Sequence, residues 1–220
     1  MSYFPMYIEL KEAPCLVVGG GRIAWRKVEV LLDFGAEVTV VAPILIKELK
    51  QNLKIRVITR PFQERDIEEM TLVVAATENE ELNHRISVLC REKNIPVNAV
   101  DQKADCTFIF PAYVKHGQVT AAVTTGGSSP ALAKHLKREI EKVIPKRIGE
   151  LAEELERFRP YVKERLLEEQ QRAWVFQKLF KTGCFRLNQC SIKEGLFGRA
   201  EVDNLIEEAQ HVYPNRNQGV

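Results

Sequence analysis

Residues 15–43 read CLVVGGGRIAWRKVEVLLDFGAEVTVVAP, and their pattern decides the fold. Cys15 to Val18 is a short, continuously apolar run that stops at three glycines. Such a run, bounded by turn residues, reads as a strand buried on both faces. From Arg22 the apolar residues recur at helical spacing until Gly35, a helix stop. Glu37 to Val41 is the next strand, closed by Pro43. Two fully apolar strands joined by a helix make the unit of a parallel sheet covered on both faces.

The same grammar continues outward. ILIKELKQNL reads as a helix, KIRVITRPF as a strand and QERDIEEM as an acidic helix. TLVVAAT is a buried strand, NEELNHRISVLCREKN a helix and IPVNAV a further strand. After Asp101 the pattern changes. CTFIFPAYVKHGQVTAAVTT reads as two strands turning at His116 and Gly117, the signal of an antiparallel hairpin. GGSSPALAKHLKREIEKVI supplies Ser129 as a helix N-cap and Pro130 at the first helical position. Beyond Pro145, IGELAEELERF, PYVKERLLEEQQRAWVFQKLF and RAEVDNLIEEAQHV carry helical spacing, and YPNRNQGV reads as a loose tail. The expectation is an α/β chain in three parts: a doubly wound parallel sheet over 1–113, a small α+β region over 114–145 and a helical region over 146–220.

Composition narrows the function classes. With 220 residues and a formal net charge of +2, nothing calls for nucleic acid or an anionic membrane as partner. The first residues lack the basic and apolar regions of a signal peptide, and no apolar run approaches the ~20 residues of a membrane helix. Five cysteines (Cys15, Cys90, Cys106, Cys184 and Cys190) form no CxxC pair. An odd count in apolar contexts points to reduced core thiols in a reducing, cytoplasmic setting. His84, His116, His135 and His211 show no ligand spacing, so no resident metal is expected.

Gly19, Gly21 and Ala24 fit G-x-G-x-x-G/A between a strand and a helix, with Gly20 loosening the turn further. Glycine lets a pyrophosphate approach the backbone, where the free N–H groups of a helix start receive its charge. The reading is a dinucleotide site; the alternative is a turn made for packing alone. At the end of the second strand stand Ala42, Pro43 and Ile44, with neither an acid for a free ribose nor an arginine for its phosphate. Arg26 and Lys27 on the first helix fit a solvated face.

Two further stretches attract attention. In NIPVNAVDQKADCTFIFPA, Asp101 follows a strand whose carboxyl end faces the ligand crevice of an open parallel sheet. A carboxylate there, partly withdrawn from water, can accept a proton; the residue type alone favours an Asx turn onto Lys103. In TTGGSSP, Thr125, Gly126, Gly127 and Ser128 lead into a helix start suited to an anion, or only to capping.

Taken in order, CLVVGGGRIAWRKVEVLLDFGAEVTVVAP, VVAATENEELN, VNAVD, CTFIFPA and VTTGGSSPALAKHLKREIE resemble the precorrin-2 dehydrogenases of siroheme synthesis, stand-alone or fused into siroheme synthases. The resemblance implies a Rossmann-like NAD domain, oxidation of precorrin-2 to sirohydrochlorin, and in some members insertion of Fe²⁺ or Co²⁺. It implies a homodimer in which the 114–145 region dimerises and carries the substrate loop. It assigns the catalytic aspartate to Asp101 and cofactor contacts to Gly19, Gly20, Gly21, Arg22, Ile23, Ala42, Pro43 and Ile44. Thr125, Gly126, Gly127 and Ser128 become substrate contacts, and Thr125 matches a serine phosphorylated in some members. The competing expectations are a non-catalytic NAD(H)-binding regulatory module and an NAD(P)-dependent reductase of another substrate.

Overall fold

The computed structural model describes residues 3–187 and 195–214. The chain divides into two compact units, Met1–Phe110 and Pro111–Val220. In the first, five strands run β1 (Pro14–Val18), β2 (Glu37–Val41), β3 (Ile55–Ile58), β4 (Leu72–Ala75) and β5 (Val97–Ala99). All pair in parallel in the order β3-β2-β1-β4-β5. The chain leaves β1 toward β2 and β3, then returns to β1's other side for β4 and β5. The strand order therefore reverses between β1 and β4, the place where open parallel sheets form their ligand crevice.

Helices α1 (Arg22–Asp33) and α2 (Lys47–Lys50) cover one face, and α3 (Glu80–Glu92) covers the other. Alternate residues of each strand enter opposite cores: Cys15 and Val17 pack toward α1, Leu16 and Val18 toward α3. All four are buried, which is why the strand has no polar position. Burial pushes the Cys15 thiol up to about 11 and the Cys90 thiol up to about 12. Cys15, Cys90, Cys106 and Cys184 form no disulfide among the described residues, and Cys190 lies outside them.

QERDIEEM forms no α-helix. Glu64–Ile67 is a single 3₁₀ turn, because Asp66 is taken up locally. Its carboxylate accepts two bonds from the Arg60 guanidinium, at 2.8 and 2.6 Å, and one from the Gln63 N–H at 2.9 Å. The Arg60 bonds, reinforced by Gln63, hold the Asp66 carboxyl below its usual range. A group whose folded pKa is depressed stabilises above its unfolded value, about 4, and loses that contribution as pH falls through the folded value. The gap in unfolding free energy between wild type and Asp66→Asn, followed by urea titration from pH 7 to 3, should shrink toward acid. With so short a crossover, a cavity of about 310 Å³ opens over the sheet, lined by Thr39, Val41, Arg56, Ile58 and Arg60 among others. None of the glycine-turn residues lines it.

The second unit opens with the hairpin β6 (Ala112–His116) and β7 (Val119–Val123), turned by Gly117 and Gln118. Helix α4 (Pro130–Val143) follows, with Ser129 as its N-cap accepting from the Leu132 N–H at 3.2 Å. Cys106–Pro111 stays outside the hairpin. Helices α5 (Ile148–Arg165), α6 (Glu169–Leu187) and α7 (Arg199–Val212) enclose a core of Leu151, Phe158, Val162, Val175, Leu179, Val202 and Ile206. α5 runs through Pro160, where a proline ordinarily ends or kinks a helix. Buried Phe158 and Val162 flank it, so tertiary burial keeps both sides helical. Residues 215–220, the greater part of the expected tail, lie outside the described residues.

Candidate active site

The carboxyl edge of the sheet is laced by backbone bonds at the crevice. Gly19 N–H donates to Val41 O at 3.0 Å, Ala76 N–H to Val18 O at 2.8 Å and Val100 N–H to Ala75 O at 2.9 Å. The glycine turn, the exits of β2 and β4 and the approach to Asp101 therefore share one edge.

The three glycines do different things. Gly19 has φ +133, and a Cβ there would stand 2.2 Å from Ala76 O. A Cβ on Gly20 would stand 1.8 Å from Ile44 O, and Gly20 O accepts from Ile46 N–H at 2.9 Å. Gly21 differs: a Cβ there would meet nothing within 4 Å. It is the N-cap of α1 and offers no side-chain cap. The first N–H groups of a helix have no partner within it, so Gly21, Arg22 and Ile23 present an uncapped positive end beside open space. Ala24, fully buried, lets α1 lie close on β1. Tight turn, open approach and close packing are the three jobs the dinucleotide motif requires.

At the exit of β2, Ala42 is buried and its N–H donates to Ile58 O at 3.2 Å. Pro43 is exposed, and Ile44 is 81% exposed, an apolar side chain held at the surface beside the glycine turn. The turn after β4 is built by Asn83, 2% exposed. Its Oδ1 accepts from Thr77 N–H and Thr77 Oγ1, at 3.2 and 2.7 Å, and its Nδ2 donates to Thr77 O at 3.0 Å. Asn79 caps α3 by accepting from Leu82 N–H at 2.9 Å. These asparagines hold the backbone that Gly19 packs against.

Asp101 stands just past β5 with φ +61, in the left-handed region that asparagine and aspartate enter more readily than other non-glycine residues. The turn is closed by backbone, Gln102 N–H donating to Ala99 O at 3.3 Å. Among the described residues no hydrogen bond or ion pair engages the Asp101 carboxylate, so the Asx turn onto Lys103 does not form. The side chain is exposed and free to meet a ligand, rather than withdrawn from water. Next to it, Gln102 donates to Glu80 O at 3.0 Å, and its Oε1 is buried without a partner among the described residues.

One residue of this neighbourhood departs from the solvated face on which its sequence placed it. Lys27 is half-buried, its Nζ 4.0 Å from the centroid of the Phe110 ring. Burial lowers its pKa below 10.5, opposed by the neighbouring Cys106 and Asp101. The signal lay in the spacing: Lys27 stands three residues after Ala24 and four before Leu31, both buried. Asn98 fixes the segment leading to Phe110, its Nδ2 donating to Phe108 O at 3.0 Å. Cys106 Sγ donates to Ala99 O at 3.1 Å.

The loop before α4 lies in the second unit. Thr125 Oγ1 donates to Ser129 O and accepts from Ser129 N–H, both at 3.1 Å. Ser128 Oγ donates to Thr125 O at 2.7 Å. Gly126 and Gly127 have φ +63 and +81. The hydroxyls of Thr125 and Ser128 therefore brace the loop itself. Among the described residues no group of three or more His, Cys, Asp or Glu is placed to hold a metal, and no helix is long and apolar enough to cross a membrane.

Fold and edge together define an NAD(P)-binding domain of Rossmann type. Residues 6–112 match the family described as putative NAD(P)-binding, and 122–142 match the sirohaem biosynthesis protein central family. The siroheme synthase of Thioalkalivibrio sulfidiphilus is 43% identical over 184 residues, 82% of this chain and 38% of that protein. That of Methylobacillus flagellatus is 41% identical over 214 residues, 96% of this chain and 43% of that one. The chain is a homologue of the siroheme synthases and spans about two fifths of their length. A solved structure of SirC, precorrin-2 dehydrogenase, shares the fold with a TM-score of 0.58 at 22% identity, covering 95% of this chain and all of that one.

Proposed function

We propose that this chain is an NAD-dependent precorrin-2 dehydrogenase of siroheme synthesis: precorrin-2 and NAD⁺ give sirohydrochlorin, NADH and a proton. The observation that carries the reading is one sheet edge bearing both an open, uncapped glycine turn at Gly21 and an aspartate with an unengaged carboxylate at Asp101. Similarity to siroheme synthases supplies the substrate class.

NAD⁺, when bound, supplies the hydride acceptor. Gly21, Arg22 and Ile23 receive the pyrophosphate on backbone N–H groups, and Gly19 and Gly20 let the turn close. At the exit of β2 the backbone of Ala42 and the apolar surfaces of Pro43 and Ile44 meet the adenosine end. Residues 42–46 carry neither a carboxylate for a free ribose nor a cation for a 2′-phosphate, and the choice of NAD follows the family resemblance. Loss of hydride from a saturated tetrapyrrole carbon accompanies loss of a proton, which Asp101 accepts. In the loop braced by Thr125 and Ser128, the Gly127 N–H is the donor for a substrate carboxylate, while the Gly126 N–H donates to Thr124 Oγ1 at 3.1 Å and shapes the turn.

The functional unit is a homodimer in a reducing, cytoplasmic setting. α4 buries none of its residues and exposes Leu132 (48%), Leu136 (37%) and Val143 (77%). A second copy covers this apolar face. Analytical ultracentrifugation should find a dimer, shifted toward monomer by Leu136→Glu; an unshifted dimer would place the contact elsewhere.

The decisive assay is anaerobic, with precorrin-2 and NAD⁺ or NADP⁺, following NADH and the sirohydrochlorin spectrum, then adding Fe²⁺ or Co²⁺ as substrates for insertion. NAD-linked turnover is expected. A folded wild type that binds NAD⁺ without turning over precorrin-2 would instead fit a regulatory module.

A further inference from the structure

We infer that Gln102 is a positioning residue for Asp101: its side-chain amide, bonded to the first carbonyl of α3, fixes the turn that carries the carboxylate to the stretch of chain that supports the glycine turn. The consequence for turnover rests on the dehydrogenase reading; the link itself does not.

Asp101 keeps a left-handed backbone, φ +61, and such conformations persist where the surrounding structure over-determines them. Its own carboxylate adds nothing to that hold, having no hydrogen bond among the described residues. The next residue supplies it. Gln102 N–H donates to Ala99 O at 3.3 Å, Gln102 O accepts from Asp105 N–H at 3.0 Å, and Gln102 Nε2 donates to Glu80 O at 3.0 Å. The first two bonds close the turn on itself, and the third ties it to α3. Because a carbonyl cannot donate, Nε2 and not Oε1 faces Glu80 O, so the partner dictates the orientation of the amide.

Helix α3 grips the rest of the segment from the same side. His84 Nδ1 lies 2.9 Å from Asp105 Oδ1, Ser87 Oγ donates to Asp105 O at 2.6 Å and Arg91 donates to Ala104 O at 2.5 Å. Glu80, His84, Ser87 and Arg91 follow one another at intervals of three or four residues, which places them on one stripe of the helix. Within this strap the Gln102 bond comes from the residue next to Asp101. It also ends beside the support of the glycine turn. Glu80 directly follows the Asn79 cap, and the Thr77 turn held by Asn83 adjoins Ala76, whose carbonyl lies against Gly19. One side chain thereby joins the turn of the proton acceptor to the turn that backs the cofactor site.

Stability does not account for a glutamine here. Glu80 O already has its partner four residues on in the helix, and Gln102 Oε1 is buried with no partner among the described residues. A buried unsatisfied acceptor costs stability, and an apolar side chain of similar size removes it.

Gln102→Leu should therefore keep the thermal midpoint of wild type or raise it. Exchange of the amide hydrogens of residues 102 and 105 should quicken about tenfold in that variant, the mark of a turn freed from α3. Unmoved exchange overturns the inference. In the anaerobic assay Gln102→Leu should lower kcat about tenfold and leave the KM for NAD⁺ within about twofold, since misplacing a reacting group costs rate rather than cofactor binding. The double variant of Asp101→Asn with Gln102→Leu should turn over no more slowly than Asp101→Asn, because a residue acting through Asp101 then has nothing left to position. A further loss in the double variant, or an unchanged kcat in Gln102→Leu, overturns the assignment. So does a thermal midpoint lowered so far that the loss of rate tracks the loss of folded protein. Absence of precorrin-2 turnover in wild type would instead sink the functional reading, leaving hydrogen exchange to decide the link.

Discussion

Asp101→Asn leaves a folded, NAD-binding protein whose dehydrogenation of precorrin-2 falls by at least about a hundredfold, the scale of a lost general base. Asparagine is the informative replacement because of the backbone. At φ +61, alanine lacks the short polar side chain by which aspartate and asparagine tolerate the left-handed conformation, and so would mix a fold defect with a chemical one. Asparagine tolerates that conformation, keeps the shape and removes the proton-accepting anion. The Ala99–Gln102 turn, closed by backbone alone, has no need of the carboxylate. Calorimetric NAD⁺ affinity should stay within twofold and the thermal midpoint within a few degrees of wild type. Turnover above a tenth of the wild-type rate would remove Asp101 from the proton path and leave it a turn residue.

The second large effect separates adjacent glycines by what each is for. Gly21→Ala should fold normally, because nothing lies within 4 Å of the added methyl and its φ of −92 suits any residue. The methyl would occupy the approach to the uncapped start of α1, and NAD⁺ affinity should fall at least tenfold, as when one well-placed contact is lost. Gly20→Ala should fail earlier. Its methyl would sit 1.8 Å from the Ile44 carbonyl oxygen, and that atom belongs to backbone tied by the Gly20–Ile46 hydrogen bond. Relief demands moving the exit of β2, and overpacking of this kind costs about 1–3 kcal/mol or more. Urea unfolding of Gly20→Ala should show reduced stability, whereas Gly21→Ala should match wild type in urea and differ only in ligand titration. Equal NAD⁺ affinity in Gly21→Ala and wild type would mean that the pyrophosphate does not lie on this turn.

The regular part of the molecule was legible in its residues. β1, α1 and β2 follow from the 15–43 stretch, because full burial of a strand and one-sided burial of a helix each leave a periodic trace in the side chains. The turn at Gly19–Gly21 was equally plain, since only glycine suits a positive φ or so close a carbonyl. Ser129 and Pro130 announced the start of α4 by cap chemistry that needs only a few neighbouring residues.

Other features were settled by residues distant in sequence or by competing local bonds. QERDIEEM has helical composition, yet the Arg60 guanidinium and Gln63 amide claim the Asp66 carboxylate and leave a single 3₁₀ turn. Pro160 reads as a break, yet buried Phe158 and Val162 keep α5 continuous around it. Thr125 reads as a ligand hydroxyl, but closing the loop onto Ser129 uses both its donor and an acceptor. Lys27 shows the difference most directly. One sequence alone records that a lysine stands on α1; only folding brings the Phe110 ring over it, more than eighty residues later in the chain. By itself the sequence determined the sheet, the glycine turn and the aspartate at the strand's end, because each is encoded by neighbours within a few residues. Only the tertiary structure decided which charges face one another, because that depends on where the packed sheet brings distant side chains.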